Sequence, residues 1–211
     1  MEIKNYSLKI KGKKLVDDCN LSFYSGEINH IVGKNGVGKS QLAKDFLLNN
    51  SGHISKSIAK STTLISSFSN VPNDITKKFL LNILRTKFQN NQQMLSDIYN
   101  ILNIEEIPAN VQIKELSDGQ KQKLKFLAFL LENKSIIILD EITNALDKKT
   151  VNEIYEFLNK FIKQNPRKTI INITHNLSDL SSMPGKYFIF RNYKIEEYMS
   201  KEKLIDDYIN L

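Results

Sequence analysis

Eight residues holding three glycines, Gly33-Lys34-Asn35-Gly36-Val37-Gly38-Lys39-Ser40, constrain the fold of this chain more than any other stretch. Ahead of them Ile28–Val32 reads as a short apolar strand, and behind them Ser40–Leu48 continues as a helix. The glycines let the backbone turn tightly, so successive N–H groups point inward, and the positive end of the helix dipole lies at the same place. The run matches the phosphate-binding P-loop pattern in full. Strands that alternate with helices along the chain point to an α/β layered fold with a mainly parallel sheet.

The remaining pattern alternates between strand-like and helix-like periods. Ile3–Ile10 and Asn20–Tyr24 read as strands, with turns at Lys11-Gly12-Lys13 and Ser25-Gly26. Thr62–Ser66, Ser135–Leu139, Thr169–Thr174 and Tyr187–Arg191 carry further strand signals. From Pro72 to Leu116 the character turns helical. Ile75–Phe88 places Phe79, Leu80, Ile83 and Leu84 on one side, and Gln92–Leu102 does likewise with Leu95, Ile98, Tyr99 and Leu102. Lys148–Gln164 is amphipathic, with Val151, Ile154, Tyr155, Leu158, Phe161 and Ile162 inward, and Lys201–Leu211 reads as a short final helix. The expectation is a single domain over 1–211: a mainly parallel sheet flanked by helices, with a small antiparallel β-region at the N-terminus. The block from Pro72 to Leu116 is too small for a core of its own, and it belongs to a helical subdomain at about 70–133 inserted in the nucleotide-binding core.

No apolar run approaches the ~20 residues that cross a bilayer. The start, Met1-Glu2-Ile3-Lys4, does not read as a signal peptide. A transport role therefore calls for a separate membrane partner. Cys19 is the single cysteine, which excludes an internal disulfide and fits a reducing cytoplasm. The net charge of +7 comes from lysines scattered among acids, apart from short groups such as Lys121-Gln122-Lys123-Leu124-Lys125. That distribution reads as a compositional bias rather than a dedicated polyanion surface.

Downstream of the P-loop stand Leu116-Ser117-Asp118-Gly119-Gln120 and the apolar strand Ile136-Ile137-Ile138-Leu139 ending in Asp140-Glu141. Asn144-Ala145-Leu146-Asp147 and Thr174-His175 follow in order. With these four motifs the chain resembles the ATP-binding-cassette (ABC) ATPase family along essentially its whole length. The resemblance implies an ABC-type P-loop NTPase fold, ATP and Mg²⁺ as cofactors, and ATP hydrolysis. Residues Gly33 to Ser40 and Gln41 would cradle the triphosphate, Lys39 reaching its β- and γ-phosphates. Ser40 and Asp140 would hold Mg²⁺, Glu141 would act as general base, and His175 would be the switch histidine at the γ-phosphate. Ser117, Gly119, Gln120 and Asp147 would serve the nucleotide of a second subunit, in a homodimer or a heterodimer. Ser117 also has the residue type of a helix N-cap, and Asp147 that of the next one.

Several positions depart from the family pattern. Gln41 stands where Thr is usual, and Ile142 where Pro commonly follows the Walker B Glu. Ser66-Ser67-Phe68-Ser69-Asn70 occupies the place of the usual Gln-containing loop, so a serine or Asn70 is left to make its metal contact. Alignment by the first turn puts Ile10 or Lys11 near the adenine-stacking position, with Tyr6 several residues too early. The functional expectation is the ATP-binding and hydrolysing subunit of an ABC transporter. It would lie on the cytoplasmic face of the membrane, with Phe68, Phe79 and Leu80 near the surface that receives a short helix of a membrane-spanning subunit. Export of peptide, drug or immunity type is favoured over import, by analogy with small ABC ATPases. The alternative is a soluble ABC ATPase acting on nucleic acid or in cofactor assembly. No coiled-coil insertion, second cassette or RNA-binding aromatic motif supports it.

Overall fold

The computed structural model describes residues 1–210; Leu211, where the final helix was expected to end, lies outside the described residues. Strands β1 (Glu2–Ile10) and β2 (Lys13–Ser22) form a two-stranded antiparallel sheet. Their turn uses Lys11 and Gly12, both at positive φ, where glycine carries no Cβ penalty. β2 is longer than the expected Asn20–Tyr24 and starts at Lys13, while Phe23 and Tyr24 lie beyond it. The cause is local. Leu15 and Val16 are buried ahead of Asp17-Asp18, the register shifts, and Asp18 turns to φ 45°, so the apolar alternation loses phase mid-strand.

The chain continues through β3 (Ile28–Val32), α1 (Lys39–Leu48), α2 (Lys56–Lys60) and β4 (Thr62–Ile65). Next come α3 (Lys77–Lys87), α4 (Gln92–Ile101), α5 (Asp118–Leu130), β5 (Ile136–Asp140), α6 (Lys148–Gln164) and β6 (Thr169–Thr174). The last elements are α7 (Ser178–Ser182), β7 (Gly185–Arg191), β8 (Lys194–Tyr198) and α8 (Lys201–Ile209). Pattern reading had not placed α2, α7 or β8. The two helices have five residues each, too few for a 3.6-residue period to show. β8 is a sheet-edge strand with a single buried residue, Ile195.

Two compact units make up the chain: 1–64 with 134–141 and 158–211, and 65–133 with 142–157. The first unit is built on a six-stranded sheet in the order β4-β5-β6-β3-β7-β8. β5, β6, β3 and β7 run parallel, and β8 returns antiparallel at the edge. Every residue of β3, β5 and β6 is buried, as a strand covered on both faces requires. Close approach between β3 and β7 demands Gly185, where a Cβ would lie 1.9 Å from the Ile28 carbonyl oxygen.

The second unit holds α3, α4, α5 and the N-terminal part of α6. Leu95, Ile98 and Leu102 are buried along α4 as expected. On α3 the expected face splits: Leu80 and Leu84 are buried, with Leu81, whereas Phe79 and Ile83 are exposed. The buried stripe is therefore rotated by about one residue from the one read in the sequence. Lys77 fixes the start of α3 by donating to the Ile104 and Ile107 carbonyls, and burial lowers its pKa.

Candidate active site

Parallel register brings the motif residues of the first unit to one edge of the sheet. Val32 pairs with Thr174 and Asp140 with Ile173, so the P-loop, the acidic pair and His175 all emerge at the carboxyl ends of adjacent strands. Ligands bind at that edge in open α/β sheets. The P-loop itself is shaped by its glycines. At Gly33 a Cβ would lie 2.7 Å from the Phe190 carbonyl oxygen, and Gly38 takes φ 117° with Leu15 packed against it. A cavity of about 430 Å³ is lined by Asn35, Gly36, Gly38, Lys39, Ser40 and Gln41, with Leu15 and Glu141. Leu15 had no place in the sequence reading, because its role depends on how the first hairpin folds against the loop.

Lys39 turns back into the loop. Its Nζ donates to the carbonyls of Gly33 at 2.8 Å and Lys34 at 3.1 Å and lies 3.7 Å from Glu141 Oε1. Burial lowers its pKa, opposed by the charges of Glu141 and Asp140. Glu141 is held from three sides. Its N–H donates to the Ile173 carbonyl at 2.9 Å, its Oε1 lies 3.1 Å from His175 Nδ1, and its φ of 52° falls in the left-handed region. For a residue with a Cβ that conformation costs about 1–2 kcal/mol. Such outliers collect at functional sites.

Asp140, the last residue of β5, is buried, and burial raises its pKa above the ordinary carboxylate value while a hydrogen bond from Ser40 works in the opposite sense. Its Oδ1 has no hydrogen-bond partner. A buried, orphaned carboxylate oxygen beside a serine hydroxyl is a donor pair that a hard divalent cation satisfies. Among the described residues no three His, Cys, Asp or Glu side chains gather to hold a metal alone. The Ser40–Asp140 pair therefore fits Mg²⁺ that takes its other ligands from phosphate and water, as Mg²⁺ usually does.

Residues 116–120, which match the signature motif of ABC ATPases, lie in the second unit. Ser117 caps α5, its hydroxyl accepting from the Gln120 N–H at 3.2 Å, while the Gln120 side chain accepts from the Ser117 N–H at 3.1 Å. This reciprocal box accounts for Ser117 and Gln120 as helix-start residues. Gly119 has a packing reason too: a Cβ there would lie 2.6 Å from Thr150 Oγ1. Asp147 caps α6 through Thr150, accepting from its N–H at 3.0 Å and its hydroxyl at 2.7 Å, and these bonds lower its pKa. Ser66 and Asn70, the candidates for the missing Gln, fall differently. The Ser66 hydroxyl accepts from the Phe68 N–H in a local turn, and Asn70 lines a cavity with Asp118, Lys121, Gln122 and Lys125. Tyr6 is fully buried and donates to Asp45, which removes it from any stacking role.

A family model described as "ABC transporter" matches residues 16–144. The chain belongs to the ABC transporter family. It is an ATP-binding and ATP-hydrolysing subunit of that family, and the match displaces the alternative of an ATPase outside transport. It is 60% identical over 210 residues to the probable peptide export ATP-binding protein YydI of Bacillus subtilis (strain 168), covering 100% of both chains. The zinc import ATP-binding protein ZnuC of Wolbachia pipientis wMel is 30% identical over 196 residues, 90% of this chain and 78% of that one. Among solved structures, an ATP-binding subunit of an ABC transporter superposes with a TM-score of 0.77 at 17% identity, covering 98% of this chain and 92% of that one. A bacterial Atm1-family ABC exporter with ATP bound reaches the same TM-score at 19% identity, over 98% of this chain and 39% of the other. At these identities the structural likeness establishes the ABC ATPase fold.

Proposed function

We propose that this chain is the ATP-hydrolysing subunit of an exporter of peptides, working in pairs against a membrane-spanning subunit on the cytoplasmic face. The observation that carries the catalytic part is the cluster at the sheet edge. Lys39 Nζ lies 3.7 Å and His175 Nδ1 3.1 Å from the same atom, Glu141 Oε1, and Asp140, which accepts from Ser40, precedes it in the chain. The peptide cargo and the direction of transport rest on the relative 60% identical along the whole chain. Among the described residues no helix is long and apolar enough to cross a membrane. That is consistent with a separate membrane partner.

The chemistry follows from where the side chains already are. The triphosphate enters the N–H-lined loop Gly33–Ser40, flanked by Gln41, and Lys39 exchanges its bonds to the Gly33 and Lys34 carbonyls for bonds to the β- and γ-phosphates. Ser40 and Asp140 would hold Mg²⁺, which would supply charge neutralisation on the phosphate oxygens. Glu141 takes a proton from a water aligned on the γ-phosphorus as the bond to the bridging oxygen breaks and ADP departs. His175, bonded to Glu141 through Nδ1, keeps Nε2 for the γ-phosphate. Ser117, Gly119, Gln120 and Asp147 complete the pocket of the second subunit's ATP, whether that subunit is another copy or a related chain. Among the described residues no aromatic side chain lines the cavity, and Leu15 is the apolar surface it would offer to the adenine.

Replacing Glu141 by Gln tests this reading. Turnover should fall at least about a hundredfold while ATP still binds, and ATP should drive the variant into pairs detectable by light scattering. Hydrolysis at the normal rate would remove Glu141 from the role of base.

A further inference from the structure

Three contacts join α5 to α6 at matching steps. Gly119 meets Thr150 at the first turn, Lys123 pairs with Glu153 at 2.7 Å on the next, and the Phe126 and Phe157 rings meet edge to face at 5.8 Å beyond them. The steps of four and three on α5, and three and four on α6, follow one face of each helix. Numbers rise together along the seam, so the two helices run side by side in the same direction. Both halves of the ion pair are largely buried, with side-chain exposures of 8% and 20%. A buried pair of this kind is weak evidence for stability, but losing one partner would leave the other charge buried and uncompensated.

The first step joins two motifs that lie apart in the sequence. Thr150 donates from both its N–H and its hydroxyl to Asp147, and that same hydroxyl is the atom pressed against Gly119. Its orientation is set by the Asp147 carboxylate. The exposed start of α5 therefore rests on a side chain whose rotamer is dictated by the loop before α6. We propose that Thr150 is a positioning residue: it transmits the state of Asp147 to the Gly119 backbone, so that the signature helix and the Asn144–Asp147 loop present themselves to the partner's nucleotide as one piece. The inference rests on the paired arrangement proposed above. It adds a residue outside every motif used to build that arrangement.

Thr150→Val keeps the shape but removes the donor to Asp147 and puts a bulkier methyl against Gly119; Thr150→Ser restores the donor. Each is made in the full chain, alone and with Glu141→Gln. Expected for Thr150→Val are an unchanged affinity of the isolated chain for ATP, a tenfold or larger rise in the ATP needed to form pairs, and a kcat reduced tenfold. Thr150→Ser should return both towards normal. Hydrogen exchange over residues 116–122 should quicken in Thr150→Val and recover in Thr150→Ser, a reading available even if the valine variant folds less well. Pairing and exchange equal to those of the parent would overturn the proposal alone. If Glu141→Gln with Thr150 intact never pairs in ATP, the paired reading fails, and this inference falls with it.

Discussion

Gly119 shows how little room the signature run leaves for substitution. A methyl group there would meet Thr150 Oγ1 at 2.6 Å, Cγ2 at 2.9 Å and Cβ at 3.2 Å. The first two atoms vanish in Thr150→Ala, which leaves a single close contact. Gly119→Ala should therefore cost about 1–3 kcal/mol of stability, and the double variant with Thr150→Ala should recover at least about 1 kcal/mol of what the separate losses predict. Urea denaturation of the four proteins measures this, and simple additivity would contradict the contact. The residues proposed for the phosphate site were legible as a pattern because they are local: Gly33 to Ser40 are contiguous, and Asp140-Glu141 follow an unbroken apolar strand. Thr150 was not legible. Its role is created by Gly119 on another helix, 31 positions earlier in the sequence, and nothing in its own neighbourhood signals that.

At the scale of elements, β3, β6, β7 and the segment after α7 share a buried polar knot. His30 on β3 is fully buried, with Nε2 2.8 Å from the Met183 carbonyl and Nδ1 3.2 Å from the Asn172 side chain. Asn172 also donates to Asp179, and Tyr187 stacks on the imidazole ring. Nε2 must carry a proton to donate to the Met183 carbonyl, and Nδ1 accepts from the Asn172 amide NH2, so the ring is neutral. Burial pushes its pKa down to about 4, with the Met183 bond and the Asp179 charge opposing. The unfolded chain thus takes up a proton that the folded one refuses, and stability present above about pH 6.5 is lost as pH falls towards 4. The expected difference between pH 7.5 and pH 5 is about 2 kcal/mol from this ring. Chemical denaturation at the two pH values checks it, with His30→Asn expected to flatten the difference. The sheet strands around this knot were readable as apolar runs. β8 and the first half of β2 were not, because an edge strand with one buried residue and a strand with a mid-course register shift both break the two-residue period.

Across the whole molecule, large apolar side chains are exposed in both units, among them Leu48, Met199 and Ile209 in the first and Phe68 and Phe79 in the second. Phe68 is 65% exposed and Phe79 55%, while Leu80, expected beside them, is buried at 3%. Single exposed apolar residues need no explanation. Two phenylalanines held open in the unit that carries the signature helix fit the proposed contact with a membrane subunit. Replacing both by Ser should shift at least half of the chain from the membrane fraction to the supernatant in cells that hold the partner. ATP hydrolysis by the isolated chain should stay within about twofold. Retention in the membrane fraction would place that contact elsewhere.

The folded-back Lys39 has a consequence for the proposed nucleotide site. Its ammonium is anchored on the Gly33 and Lys34 carbonyls of its own loop. On the proposed reading, phosphate oxygens would have to outcompete those two backbone acceptors, so affinity for a triphosphate would measure a difference between two sets of bonds rather than the strength of one.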